Sequence, residues 1–223
     1  MIFLEDLKVK NENLATLASS DGNTSTIPKL LKAICVFLLV RNIHYTEEAY
    51  LTSIRVMACL NHQFVHDLEQ QSTEMASILS HTQINDAEAV GISEGIMHLL
   101  NGVGYPSHTE PETFPVVRLC ADLIMASTDG YFYSNDLAVM ADVVIRELQN
   151  IPPIGEDAEE TSKHEELRVY YIHLAGALLN RQLLDGSKDG TVRDTLTYLH
   201  EEGAERPESE WSSDVAAAIL EAY

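Results

Sequence analysis

Apolar positions along this chain recur at three- and four-residue intervals, and no strong apolar–polar alternation of the kind that marks a β-strand is present. Residues 27–41 place Leu30, Leu31, Ile34, Cys35, Leu38 and Leu39 at helical spacing behind a start signal at Thr26 and Pro28. Thr46 is an N-cap for a second helix reaching about Gln70, with Leu51, Ile54, Ala58, Phe64, Val65 and Leu68 on one stripe, and a shorter helix follows Ser72. Asn85 and Glu88 have capping-box spacing ahead of a helix over residues 89–100, which Asn101-Gly102 stops. After a Gly- and Pro-bearing loop, helix resumes near Glu112 with Val116, Leu119, Cys120, Leu123 and Ile124, and Asp129-Gly130 breaks it.

Ser134 is the expected N-cap of a helix over residues 135–150 that Pro152-Pro153 ends. Its apolar residues Leu137, Val139, Met140, Val143, Val144, Ile145 and Leu148 cover more than one face, so this helix is expected at the centre of the fold. Residues 153–161 read as an acidic, solvated loop. Ser162-Lys163-His164-Glu165 reads as a capping box opening a helix to about Leu184. Residues 186–190 read as a turn, with two more helices near residues 191–202 and 209–222. Helices in successive pairs with short loops, each pair exposing apolar stripes, must stack on their neighbours. The expectation is therefore an all-α, armadillo/HEAT-like helical-repeat domain over residues 1–223, preferred to a compact bundle.

Composition narrows the function. Apolar residues make up 45% and charged residues 22% of the 223-residue chain, which suits a folded domain. Fourteen Lys and Arg stand against 35 Asp and Glu, a formal charge of −21. Phosphate backbones and anionic lipid repel such a chain unless a basic patch exists, and its cations, such as Arg41, Arg55, Arg118, Arg146, Arg168 and Arg181, are scattered singly. Solubility is the simpler reading of this charge; the functional alternative is steering toward a basic protein surface. The three cysteines, Cys35, Cys59 and Cys120, all lie in apolar runs, as reduced core thiols do, and the N-terminus lacks a signal-peptide pattern, which together predict a cytoplasmic protein.

Candidate chemistry is thin, and no enzyme is expected. His62 and His66 have an i,i+4 spacing that suits zinc, but Gln63 stands where a metalloprotease has its catalytic Glu, and surface or capping histidines are the simpler reading. Gly102-Val103-Gly104 has neither a preceding strand nor a following Gly-Lys-Ser/Thr, so it is not a phosphate loop. No metal or cofactor is expected.

One segment rises above this background. Tyr131-Phe132-Tyr133-Ser134-Asn135-Asp136-Leu137 sets three aromatics before a helix start, and Arg146-Glu147-Leu148 with Ile151-Pro152 closes that helix. The segment resembles the YFYTNDL and REL-LP signature of the WISH/DIP/SPIN leucine-rich domain family, which includes the fungal Ldb-type proteins. Leu60-Asn61-His62-Gln63-Phe64 is similar to the family's LNEQF, with His62 for Glu. Glu94 to Asn101 resembles a family helix ending LLN, Leu167-Arg168-Val169-Tyr170-Tyr171 its LRHTYL, and Leu178 to Leu183 its LL-NTQL. The resemblance covers roughly residues 34–184. Family domains carry more helices before the LNEQF-like run, so some N-terminal helices of the family are expected to be lacking here.

The resemblance implies an armadillo-like domain that binds the Arp2/3 actin-nucleating complex and switches it on without a mother filament, giving linear seed filaments, in the cytoplasm at cortical actin and endocytic patches. The alternative is a helical-repeat adaptor for another protein. Tyr131, Tyr133, Asn135, Asp136 and Arg146 are the partner-contact candidates. A wedge of aromatics into the core would produce the same Tyr131–Asp136 pattern.

Overall fold

The computed structural model describes residues 47–67, 86–102, 113–126 and 132–223. Among these are seven α-helices and no strand: α1 Glu47–Asp67, α2 Asp86–Gly102, α3 Thr113–Ala126, α4 Ser134–Asn150, α5 Ala158–Asn180, α6 Gly186–Glu205 and α7 Glu210–Ala222. A short 3-10 turn, Pro207–Ser209, joins the last two. The helices expected over residues 27–41 and after Ser72, Tyr131, and the caps at Thr46 and Asn85, lie outside the described residues.

The substantial contacts are all between first and second neighbours along the chain. α1 packs on α3, α3 on α5 and α5 on α7; α2 packs on α4 and α4 on α6. Odd and even helices thus form two rows, tied across by α1–α2, α2–α3, α4–α5 and α6–α7. One continuous apolar cluster runs through the stack, from Ile54 in α1 to Ala216 in α7.

The central helix is α5, not α4. α5 touches α3, α4, α6 and α7, and it is buried around its circumference from His164 to Leu179 apart from Glu166 and His173. α4 buries Leu137, Met140, Ala141, Val143, Val144 and Leu148, but Val139 is 42% exposed. Its apolar residues outnumber what its one buried face can hold.

Local chemistry explains the helix ends. Tyr133, not Ser134, precedes α4 in extended conformation (φ −73°, ψ 160°); its carbonyl accepts the Leu137 N–H at 3.1 Å and its N–H donates to Asp136 at 3.1 Å. α5 begins at Ala158, four residues ahead of the Ser162 signal. Asp157 accepts the Glu160 N–H at 2.8 Å, and Glu159 and Glu160 sit in the first turn, where the helix dipole favours anions. Residues 158–161, with the acidic Glu159 and Glu160, are therefore helical. α5 stops at Asn180 because Gln182 turns left-handed (φ 50°): its N–H bonds Leu179 and the Leu183 N–H bonds Leu178, a Schellman ending. α6 begins at Gly186, within the expected turn, because Asp185 accepts the N–H groups of Ser187 and Lys188 at 3.0 and 2.8 Å.

Polar side chains lock the last three helices together. Glu165 of α5 accepts the Ser212 backbone N–H at 2.6 Å and the Ser212 hydroxyl at 2.9 Å, capping α7 from another helix. One turn on, Arg168 donates to Ser209 at 3.1 Å and to Glu202 at 3.0 Å, and Arg206 also pairs with Glu202 at 2.9 Å. α6 and α7 approach so closely that a Cβ on Gly203 would lie 2.2 Å from the Ser213 Cβ. Among the described residues no helix is long and apolar enough to cross a membrane.

Candidate protein-interaction faces

The residues singled out from the sequence separate in the structure. Asn135 and Arg146 lie on the exposed side of α4, joined at i+4, i+3 and i+4 steps by Val139 and Asp142 into one outward stripe. Tyr133, 58% exposed, stands at its N-terminal end. Asp136 faces away from the stripe and is committed to the Tyr133 N–H. Arg146 folds back so that its Nε donates to the buried carboxylate of Glu147 at 2.7 Å, and Asp142 pairs with Lys188 of α6. Val139, expected in the core, is instead the apolar member of this stripe.

A second constellation lies across the odd row and involves the other segments of the sequence signature. Asn61 of α1 donates to Asp122 of α3 at 2.8 Å, and Arg118 donates to the same carboxylate at 2.9 and 3.0 Å. Burial pushes Asp122 above the ordinary carboxylate range, against the opposing pull of Arg118 and Asn61. His62 hydrogen-bonds the Tyr170 hydroxyl at 2.8 Å, and the Phe114 ring meets Tyr170 edge-on at 5.5 Å. Asn61-His62 and Tyr170, distant in sequence, thus stitch α1, α3 and α5 at one level. The spacing of Arg118 and Asp122 on an otherwise apolar helix was the signal available for this cluster.

Beside it, α3, α5 and α7 frame a cleft of about 260 Å3 lined by Arg118, Asp122, Met125, His173, Ile219 and Tyr223, among others. His173 has a solvent-exposed edge, but burial by the surrounding protein, and then Arg118, hold its pKa below the ordinary histidine value, with Asp122 opposing. Asn180 donates to the Tyr223 hydroxyl at 2.5 Å, so the end of α5, the segment similar to LL-NTQL, reaches the end of α7.

For the remaining candidates the structure is specific. His62 is paired with Tyr170, while the His66 side chain lies outside the described residues. Among the described residues no three His, Cys, Asp or Glu side chains converge as a metal site. Cys120 is a core thiol, pushed up to about 12 by burial, but Cys59 is exposed on α1 rather than buried, and Cys35 is outside the described residues.

The SPIN90/Ldb17 leucine-rich domain profile matches residues 46–186 of the chain, a span that begins just before α1 and ends as α6 begins. It takes in the α4 stripe, the Asn61–Asp122–Arg118 cluster and the Tyr170 contact. No curated protein and no solved structure matches the chain significantly. The match covers over half of the 223 residues. The chain belongs to the SPIN90/Ldb17 leucine-rich domain family.

Proposed function

We propose that this chain activates the Arp2/3 actin-nucleating complex without a preformed mother filament, producing linear filaments that seed networks. Membership of the SPIN90/Ldb17 family, which is consistent with an Arp2/3-related role in actin regulation, is the observation that carries this reading. The mechanism is binding alone. A ligand shifts an equilibrium only through its differential affinity for the two states, and moving Arp2/3 from 1:99 inactive-dominant to 99:1 requires about 5.5 kcal/mol of preference for the active arrangement. No covalent step by this chain enters.

An armadillo-like helical repeat is the fold we assign to this activity; two helix rows whose substantial contacts, among the described residues, are with first and second neighbours suit such a stack. The α4 stripe of Asn135, Val139, Asp142 and Arg146 is the contact face we assign to the partner, because it sets an exposed apolar residue among polar ones within the signature segment. The same reading places the chain in the cytoplasm at cortical actin and endocytic patches.

Pyrene-actin polymerisation with purified Arp2/3 and no added filaments tests the activity. A concentration-dependent shortening of the lag is expected, with unbranched products by microscopy. Polymerisation at the rate of Arp2/3 alone, with the chain folded, sinks the reading; a pull-down that recovers another protein but no Arp2/3 subunit would favour the adaptor function.

A further inference from the structure

Away from α4, the α4–α5 loop and the start of α7 form an open groove of about 580 Å3. Ile154 and Trp211 line it, and both are large apolar side chains left 55% and 52% exposed. Its lining also holds the carboxylates of Glu156, Asp157, Glu165 and Glu208, and no Lys, Arg or His.

The two sets of residues point to one class of ligand. Asp157 and Glu165 are engaged as helix caps, on Glu160 and Ser212 respectively, while Glu156 and Glu208 are exposed at the surface. The carboxylates do not converge: among the described residues no metal-holding group of three acids, His or Cys exists. Negative charge spread along a rim with apolar side chains suits an extended chain carrying cations at intervals, rather than a bare divalent ion. Trp211 offers an exposed ring face on which a guanidinium or ammonium can stack. The overall charge of −21 adds attraction of the same sign at long range.

The walls are already in place. Gly155 N–H donates to Thr161 Oγ1 at 3.0 Å, Glu156 N–H to Glu160 Oε2 at 2.5 Å, and Ser212 N–H to Glu165 at 2.6 Å. A Cβ at Gly155 would come within 2.7 Å of Glu160 and of the Thr161 nitrogen, so the loop closes only with glycine there. Little ordering remains to be done on binding.

We infer that this groove docks a short basic segment of a partner protein, with an Arg or Lys over Trp211 between Glu156 and Glu208 and an aliphatic side chain against Ile154. The groove shares no lining residue with the α4 stripe.

Trp211 is the chain's only tryptophan, so its emission reports occupancy directly. The full chain is titrated with an octapeptide alternating Arg and Leu, with Glu–Leu and Arg–Ser octapeptides as controls. The Arg–Leu peptide is expected to shift Trp211 emission saturably, with affinity falling about tenfold from low to high salt. Ile154→Ser and the double variant Glu156→Gln/Glu208→Gln each weaken binding by about fivefold or more while melting unchanged. No saturable change overturns the proposal. So does equal binding of either control peptide, or unchanged affinity in both variants. Displacement of the peptide by calcium with the same emission change would make the groove a cation site instead.

Discussion

The Glu165 carboxylate in α5 holds both the backbone N–H and the hydroxyl of Ser212 in α7, at 2.6 and 2.9 Å. Ser209, which precedes α7, makes no side-chain cap of its own, so the cap comes from a helix 47 residues away in sequence. Glu165 and Ser212 are both buried. Glu165→Ala leaves the buried Ser212 N–H unanswered and the hydroxyl with only the Ser209 carbonyl, at 3.2 Å, and should cost about 2 kcal/mol, whereas Glu165→Gln keeps one acceptor and should cost about 1 kcal/mol. Ser212→Ala in the Glu165→Ala background should add little, because the lost interaction is shared. Urea unfolding of the three variants checks this; a Glu165→Ala change under 0.5 kcal/mol would show that the cap is dispensable.

Two glycines of the same helix make opposite predictions. A Cβ at Gly190 meets nothing within 4 Å, whereas at Gly203 it would fall 2.2 Å from the Ser213 Cβ and 2.9 Å from the Ser209 carbonyl. Gly190→Ala should therefore stabilise α6 by about 0.5–1 kcal/mol, the ordinary helix preference for alanine. Gly203→Ala gains the same preference but must push α7 away, for a net loss of about 1–2 kcal/mol. Thermal melts that move in the same direction for both would contradict the close α6–α7 approach.

Gly190 also shows where the sequence misleads. Gly186 and Gly190 look like a turn, yet Asp185 caps two backbone N–H groups and the helix runs through both glycines. The same happens at α5, whose first turn is made of acids that resemble a solvated loop until Asp157 is seen to cap it. Asp157 and Asp185 are ordinary cap residues, but the acidic and glycine-bearing stretches that follow them offer no apolar stripe to announce a helix. By contrast α1, α2, α3 and α7 lie close to where the periodicity puts them, because each owes its place to a stripe of apolar residues. The stripe cannot say how many faces a helix buries. α4 looked central because Val139 counted as core, but α5, with more polar residues, is the one enclosed on four sides. For the candidate faces, the signature segment is visible, while of the Asp122 cluster only the Arg118–Asp122 spacing is local, and the Asn61 bond joins residues 61 apart.

Acid should loosen the chain partly through His173. Its pKa is lowered in the fold by burial and by Arg118. Above the unfolded value of about 6.5 both states carry neutral imidazole and no penalty exists. As pH falls through that value the unfolded chain takes up the proton first, so stability declines until the folded histidine also protonates. His173→Gln removes this contribution. The difference in melting temperature between pH 7.5 and pH 5.5 (about one unit either side of the unfolded histidine value) should be smaller in the variant than in the parent chain. An equal or larger difference would show that the cleft does not disfavour the charged ring.

The start of α4 separates structural from contacting residues. Asp136 accepts the Tyr133 N–H, so Asp136→Ala should cost about 1 kcal/mol, in the range of a lost helix cap. Asn135 and Val139 are exposed and make no cap, so Asn135→Ala with Val139→Ser should leave the melting temperature within the spread of ordinary surface changes, about 0.5 kcal/mol. If the outward stripe touches Arp2/3, that double variant should weaken nucleation at sub-saturating concentration by about tenfold, while Asp136→Ala retains full activity per folded molecule. Arg146 is unsuited to this test, because its Nε donates to the buried Glu147 carboxylate and its removal would also change that contact. Normal nucleation by the Asn135→Ala/Val139→Ser chain would move the contact off α4 and leave the odd-row surface around Asp122 and His173 as the next face to mutate.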